Sequence, residues 1–210
     1  MIQIRNAIIG MCATNTYFVW NDVNNEGVII DPAGDPQRIF ERADKYGFKV
    51  VGILLTHGHF DHILALDDVR EHYEVKACIG ANEKQVITSP DLNLTGGFLG
   101  EAISMEADIY LNDGDELTIA GMKVKAIEVP GHTPGGTCYY FVDENVLFSG
   151  DTLFAGSVGR TDFPGGSGRA LFLGIKEKLY ALPDEVRVFP GHGDDTTIGY
   201  EKVHNPFVQA

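Results

Sequence analysis

Four apolar, strand-like segments of this 210-residue chain each run into a histidine or an aspartate. Short runs of Val, Ile, Leu and Phe favour buried strands, and a glycine lies beside the polar residue each time. Loops that follow the strands of a rigid sheet can hold side chains in fixed positions for chemistry. We therefore expect distant parts of the chain to meet at one edge of a sheet. The segments are 50–55 before His57, 124–129 before His132, 146–148 before Asp151 and 186–189 before His192.

The segment 56–62, with the sequence Thr-His-Gly-His-Phe-Asp-His, carries the most specific signal. In an extended chain His57 and His59 project to one side, because side chains alternate with a period of two. Asp61 and His62 fall where a helix begins, so the turn can direct them to a second point. Six residues can thus supply two ligands for one ion and two for its neighbour. With 7 histidines in the whole chain, an incidental polar helix start explains this spacing poorly.

The residue types in these segments fit a catalytic metal site. Imidazole nitrogen and carboxylate oxygen both bind zinc, and a catalytic site also needs open or water-filled positions. A carboxylate such as Asp151 can bridge two ions about 3.5–4 Å apart, which is the spacing in two-metal hydrolytic sites. Taken singly, His132, Asp151 and His192 are weak signals, and each gains weight only as a member of the set.

The remaining pattern indicates one α/β domain spanning residues 1–210, in a helix–sheet–sheet–helix order. Turn signals in the middle of the chain predict strands in hairpin-like pairs. The segments 91–107 and 155–168 resist assignment, and loops of that length are often functional. The predicted helices are 36–46, 61–73, 81–88, 170–182 and 197–203, and the predicted turns are 112–115, 120–121 and 143–145.

Composition narrows the class of function. A net charge of −14 and a pI of about 4.7 argue against nucleic acid and against an anionic membrane surface as partners. The three cysteines, Cys12, Cys78 and Cys138, show no CxxC spacing, and we expect each to pack as a small core residue. The first residues lack the pattern of a secretion signal, and no apolar stretch reaches transmembrane length. The expected location is the cytoplasm.

The motifs THGHFDH (56–62), GHT (131–133), GD (150–151) and GH (191–192) resemble the ordered metal-binding motifs of the metallo-β-lactamase superfamily. Within it, FSGDTLFAGSVGRTDF and TTIGYEKVHNPF resemble the short, glyoxalase II-like hydrolases. The resemblance implies a four-layer αββα sandwich and two divalent metal ions, zinc first, with iron or manganese as alternatives. It implies that His57, His59 and His132 hold the first ion, that Asp61, His62 and His192 hold the second, and that Asp151 bridges them.

The activity implied by this resemblance is hydrolysis of a small-molecule thioester such as S-D-lactoylglutathione by a metal-bridging hydroxide. Asp61 and Asp151 would be the carboxylates at the reacting centre. Arg160 stands where glyoxalase II enzymes carry a basic substrate contact, so it could bind a glutathione-like carboxylate. An ion pair with a neighbouring carboxylate explains Arg160 equally well. Asp162 departs from the pattern, because those enzymes have a tyrosine there that contacts the ligand.

Two other functions fit the same motifs. Persulfide dioxygenases resemble this chain in motif set and in the GRTDF stretch, and they use a single iron bound by two histidines and one aspartate. A non-catalytic metal-binding module is the third reading, although open coordination positions argue against it. Elsewhere, Asp31 ends a strand and suits a turn or a buried hydrogen bond. His72 and His204 read as ordinary surface or capping histidines, and Tyr139 and Tyr140 as sheet-packing residues.

Overall fold

Two six-stranded sheets form the centre of the computed structural model, which describes residues 1–209. In the first sheet the strands lie in chain order, antiparallel from β1 to β3 and parallel from β3 to β6. Parallel neighbours need a crossover connection, which the helix Pro36–Tyr46 (α1) provides between β3 and β4. These strands are β1 (Ile2–Ile9), β2 (Thr14–Asn21), β3 (Glu26–Ile30), β4 (Lys49–Leu54), β5 (Ala77–Gly80) and β6 (Ile109–Leu111).

The second sheet has the order β14-β13-β10-β9-β8-β7, and only β10 and β13 pair in parallel. A separate two-stranded ribbon, β11 with β12, follows β10. Because β10 and β13 run in the same direction side by side, the loops after them emerge together. The strands are β7 (Glu116–Ile119), β8 (Met122–Glu128), β9 (Thr137–Phe141), β10 (Val146–Gly150), β11 (Leu153–Phe154), β12 (Ser157–Val158), β13 (Arg187–Pro190) and β14 (Thr196–Thr197).

Three apolar clusters define the four layers. The central cluster joins side chains of both sheets, for example Val28 and Leu54 with Phe141 and Phe148. A second cluster covers the outer face of the first sheet, and a third covers that of the second. This is the αββα order that the sequence predicts. The helices are α1 (Pro36–Tyr46), α2 (Phe60–Ile63), α3 (Leu66–Tyr73), α4 (Lys84–Thr88), α5 (Thr95–Phe98), α6 (Gly168–Gly174) and α7 (Ile198–His204).

Three details differ from the sequence-based expectations. The helix predicted over 61–73 is split into α2 and α3, because the Ala65 amide donates to Pro32 O (3.0 Å) instead of continuing the helical ladder. The turn at 112–115 connects β6 of one sheet to β7 of the other, so it is not a hairpin. The helix predicted over 170–182 is α6 followed by a π-helical stretch, Ile175–Leu179. Across residues 1–209, the helices are too short or too polar to cross a bilayer.

Candidate metal centre

The loops after β4, β8, β10 and β13 converge between the two sheets. The loop after β4 belongs to the first sheet and carries His57 and His59, while the other three belong to the second sheet. They contribute His132, Asp151 and His192 respectively. All seven side chains that the sequence singles out as metal ligands fall into three overlapping groups, whose ligand atoms lie within 4.8 Å of one another in each group.

The first group consists of three histidines, His57, His59 and His132, and all three are buried. The three residues are 2%, 3% and 4% exposed. The Nδ1 atom of His59 lies 2.9 Å from Nε2 of His132, so two ring nitrogens of different loops face one point. Burial lowers the pKa of His57 well below its usual value and lowers that of His59 to about 3, so both imidazoles are neutral at pH 7.

The second group, Asp61, His62 and His192, is rich in charge. His192 Nε2 lies 3.3 Å from Oδ2 of Asp61, and His62 Nε2 lies 3.7 Å from the same oxygen. Burial alone would raise the pKa of Asp61, but the nearby His62 and the hydrogen bond from His192 lower it to about 2. Burial would lower the pKa of His192, but hydrogen bonds to Asp151 and Asp61 raise it to about 9.

Asp151 lies between the two groups. Its Oδ1 is 3.4 Å from Nε2 of His62, and its Oδ2 is 3.5 Å from Nε2 of His132 and 3.4 Å from Nε2 of His192. One carboxylate thus faces histidines of both groups, which is the geometry of a bridging ligand. Gly191 makes this approach feasible, because a side chain there would collide with Asp151 Oδ1 and with the ring of His62.

Buried Asp31 orients one histidine of each group. Its Oδ2 accepts a hydrogen bond from Nδ1 of His62 (2.9 Å) and another from the Thr56 hydroxyl (2.7 Å). Since that hydroxyl donates to Asp31, its oxygen can accept from Nδ1 of His57 (3.1 Å). These hydrogen bonds hold a proton on Nδ1 of His57 and of His62, so Nε2 is the atom of each ring that faces the site. The sequence-based expectation of a buried hydrogen-bonding role for Asp31 agrees with this geometry.

His132 and the loops themselves are fixed by other partners. Nδ1 of His132 donates to the backbone oxygen of Arg160 (2.7 Å), which leaves its Nε2 facing the site. Fully buried Glu83 accepts hydrogen bonds from Gly58 N and Gly135 N, both at 2.7 Å, and so ties the loop after β4 to the loop before β9. Sequence reasoning missed Glu83, although its position just after β5 repeats the strand-end signal.

The donor set fits metal ions. Among residues 1–209, His57 Nε2, His62 Nε2 and Asp151 Oδ1 are buried polar atoms without a hydrogen-bond partner. Unpaired buried polar atoms are costly, and native proteins rarely retain them without an ion, a water or a catalytic role. All three atoms point into the two groups, where imidazole and carboxylate are ligands of zinc and of first-row transition metals.

A cavity of about 420 Å³ opens onto the centre. The segment 91–107 forms one wall: buried Asn93 anchors its base by donating to the backbone oxygens of Ile87 and Ile103, while Phe98 at its tip is 55% exposed. Cys12 also lines the cavity and is exposed, so its predicted core position is wrong, because it lies in the turn between β1 and β2. Cys78 and Cys138 are buried as predicted. The apolar lining residues are Phe60, Leu94, Phe98, Phe154, Val158 and Phe163.

Arg160 lines the same cavity, and its guanidinium is paired. Its Nε and Nη2 donate to the two carboxylate oxygens of Asp162 at 2.7 and 2.6 Å, and its Cζ lies 3.9 Å from the ring centre of Phe163.

The other polar residues considered from the sequence lie apart from the site. His72 stacks on Phe40, His204 stacks on Tyr200, and Tyr139 and Tyr140 are buried in β9.

Comparison with known proteins defines the class. The sequence matches the metallo-beta-lactamase superfamily over residues 9–192. It is 38% identical to the probable metallo-hydrolase YqgX of Bacillus subtilis, over 97% of this chain and 96% of that protein. It is 35% identical to the hydroxyacylglutathione hydrolase GloC of Haemophilus influenzae, over 93% of both chains.

Solved structures agree with the fold. The BLEG-1 B3 metallo-beta-lactamase superposes with a TM-score of 0.93 at 38% identity, over 99% of this chain and 100% of that one. A di-iron-bound form of TTHA1623 gives 0.85 at 34% identity, over 97% and 100%. ETHE1 from Myxococcus xanthus gives 0.80 at 26% identity, over 97% and 83%.

The fold, the converging histidines and aspartates, and these relatives define a metal-dependent hydrolase with a binuclear centre. The chain belongs to the metallo-β-lactamase superfamily.

Proposed function

We propose that this protein is a thioesterase of the glyoxalase II type, which cleaves S-D-lactoylglutathione or a similar thioester. The observation that carries the proposal is the position of Asp151, whose two oxygens face histidines of both donor groups beside an open cavity. The resemblance to GloC, a hydroxyacylglutathione hydrolase, supports the choice of substrate.

In this proposal His57, His59 and His132 would hold one divalent ion, Asp61, His62 and His192 would hold the other, and Asp151 would bridge them. Zinc is the first candidate, and iron or manganese are the alternatives. When bound, such a pair of cations lowers the pKa of water and polarises a carbonyl oxygen. The balanced reaction consumes one water and releases a carboxylic acid and a free thiol.

The residues of the chain prepare the site for this reaction. Asp31, directly and through Thr56, keeps the Nε2 atoms of His62 and His57 free of protons when ions are bound. The carbonyl of Arg160 does the same for His132. The apolar cavity wall limits water around the acyl group, which strengthens the electrostatic interactions at the reacting carbon.

Iron-dependent persulfide oxidation is the second candidate. The di-iron form of TTHA1623, 34% identical to this chain, supports iron as a metal for such a centre, although two irons differ from the single iron of a persulfide dioxygenase. A non-catalytic metal-binding module is the third, and the open cavity beside the ligands argues against it. A small-molecule substrate follows from the resemblance to GloC, and the net charge of −14 supports the absence of nucleic-acid and membrane partners. A cytoplasmic location completes the proposal.

One experiment separates the three candidates. The purified protein is analysed for metal content, stripped with chelator, and reloaded separately with Zn²⁺, Fe²⁺ and Mn²⁺. Each form is assayed for thiol release from S-D-lactoylglutathione and for oxygen consumption with glutathione persulfide. The thioesterase proposal expects about two ions per chain and thiol release that chelation abolishes. One iron per chain with oxygen consumption and no thiol release contradicts it. A broad ester, lactone and β-lactam panel without turnover supports the binding module.

A further inference from the structure

The cavity beside the metal centre has an apolar wall, and one arginine lies in its lining. Six of its lining side chains are Phe, Leu or Val, and the remaining ones are mainly metal-centre residues. Among the lining residues that the structure describes, Arg160 is the one with a permanent positive charge. Away from the metal centre, this guanidinium is therefore the lining group that can pair with an anionic group on a substrate, such as a glutathione carboxylate.

Asp162 already occupies that guanidinium. The pair is bidentate, at 2.7 and 2.6 Å, so it uses the Nε–Nη2 edge that would otherwise receive a carboxylate. The hydrogen bond from Arg160 lowers the pKa of Asp162 to about 2, so the pair is ionised and carries no net charge at pH 7. The ring of Phe163 covers the guanidinium at 3.9 Å. An anionic substrate thus meets a neutralised cation on a chain whose net charge is −14.

We propose that Asp162 determines substrate specificity by masking Arg160, so that the cavity selects thioesters of an uncharged thiol over anionic glutathione thioesters. This inference rests on the proposed thioesterase function and narrows its substrate class. Both partners are more than half exposed, so the pair is weak enough for a substrate carboxylate to compete with it. The effect is accordingly a shift in preference, about three- to tenfold.

The test compares two thioesters that share the D-lactoyl group. S-D-lactoylglutathione carries a net negative charge, and S-D-lactoyl-N-acetylcysteamine carries none. The variant Asp162→Asn removes the competing charge and keeps the size of the side chain. We expect its KM for the glutathione thioester to fall about three- to tenfold, with kcat unchanged and with the neutral thioester altered less than twofold. The gain must shrink as salt rises, because it arises from charge attraction.

Two controls make the result specific. Asp67→Asn removes an equal charge and breaks an arginine pair on α3 (2.7 Å), remote from the cavity, and must leave both KM values as in the wild type. In the double variant Arg160→Met, Asp162→Asn, the lower KM for the glutathione thioester must disappear. The methionine keeps the Arg160 backbone carbonyl that binds His132.

A binding measurement keeps the inference independent of turnover. S-Hexylglutathione and S-hexyl-N-acetylcysteamine are titrated into the metal-loaded wild type and Asp162→Asn. Tighter binding of the glutathione compound alone in the variant supports the masking role. An equal change for both compounds, or no change for either, overturns it. If the wild type cleaves neither thioester, the proposed function fails, while this binding comparison still decides the role of Asp162.

Discussion

The two halves of the metal centre are built on different physical principles. The half formed by His57, His59 and His132 is buried, and burial lowers the pKa of His57 and His59 so that these two imidazoles are unprotonated at pH 7. The other half, Asp61, His62 and His192, is held by charge, and His192 is 27% exposed. Burial would lower the pKa of His62, but Asp61, Asp151 and Asp31 raise it well above its usual value.

This difference implies an order in which the two halves bind metal ions. In the neutral half, His57 and His59 need release no proton to bind a cation at pH 7. In the charged half, protons on His62 and His192 stand where the cation would be. We therefore expect the three-histidine half to load first and the charged half to load with release of protons. Asp151 faces histidines of both halves. Removing its carboxylate should therefore disturb metal binding in both halves.

The largest effect is expected for Asp151→Ala. This change removes the carboxylate that faces histidines of both halves, so we expect fewer than two ions per chain. Activity should fall at least about a hundredfold, the scale on which removing one charge-stabilising group acts. Elemental analysis and kinetics on the same sample check this. Asp143→Ala, an exposed aspartate in the turn after β9, serves as the control. Wild-type metal content in Asp151→Ala would refute the bridging role.

Asp31→Asn should weaken both halves to a smaller degree. The carboxylate of Asp31 accepts from Thr56 and His62, and an amide offers only one accepting oxygen. Asparagine tolerates the positive φ of 51° at this position, so the backbone is preserved. Loss of such an orienting partner costs about 10–100-fold in metal affinity or activity. Competition with a zinc indicator measures the affinities, and a loss confined to one half would contradict the shared role of Asp31.

Glu83→Ala should affect the neutral half selectively and lower the stability of the fold. It leaves the amides of Gly58 and Gly135 buried without acceptors, at about 1–3 kcal/mol each in the free energy of unfolding. Urea unfolding of the metal-free protein measures this cost. Glu83→Gln retains one accepting oxygen and should recover part of the stability. Equal stability of the alanine and glutamine variants would show that the two hydrogen bonds contribute little.

Glu83 also shows where prediction from the sequence stops. The strand-end pattern predicted the seven converging residues well, because strands fix where the following loops emerge and β10 and β13 are parallel neighbours. A buried acid such as Glu83 looks like any polar residue at a helix start until its two distant donors are placed. The break between α2 and α3 likewise depends on a tertiary hydrogen bond, Ala65 N to Pro32 O, which no local pattern encodes. β1 was missed because most of its side chains are at least partly exposed.

The pH dependence of metal binding should also distinguish the two halves of the centre, and its effect should be smaller than those of the substitutions above. His192 has a pKa of about 9, so below that pH a proton must leave before an ion binds. Affinity of the charged half should therefore rise at least about tenfold per pH unit from 6.5 to 9, whereas that of the neutral half stays nearly constant. In the metal-free protein, the contribution of His192 to stability depends on pH in the opposite direction to its effect on metal affinity. The stabilising contribution of His192 is complete below pH 6.5, its ordinary pKa, and is lost as the pH rises through 9.

Zinc titration by calorimetry in two buffers of different protonation enthalpy counts the protons released at each binding step. One step with almost no release, followed by one with release of a proton or more, is the expected result. Equal proton release in both steps would remove the distinction between a neutral and a charged half.

The smallest effect is expected for His72→Ala. His72 is exposed, whereas His192 is half-buried, and the ring of His72 stacks on Phe40 with centres 3.9 Å apart instead of lying between carboxylates. Loss of this stacking should cost about 0.5–1.5 kcal/mol of stability. Metal content and kcat/KM should stay within twofold of wild type. His192→Ala, the matched change, should lose an ion from the charged half. If both variants lost metal equally, accessibility of a histidine, and not its placement between Asp61 and Asp151, would explain the loss.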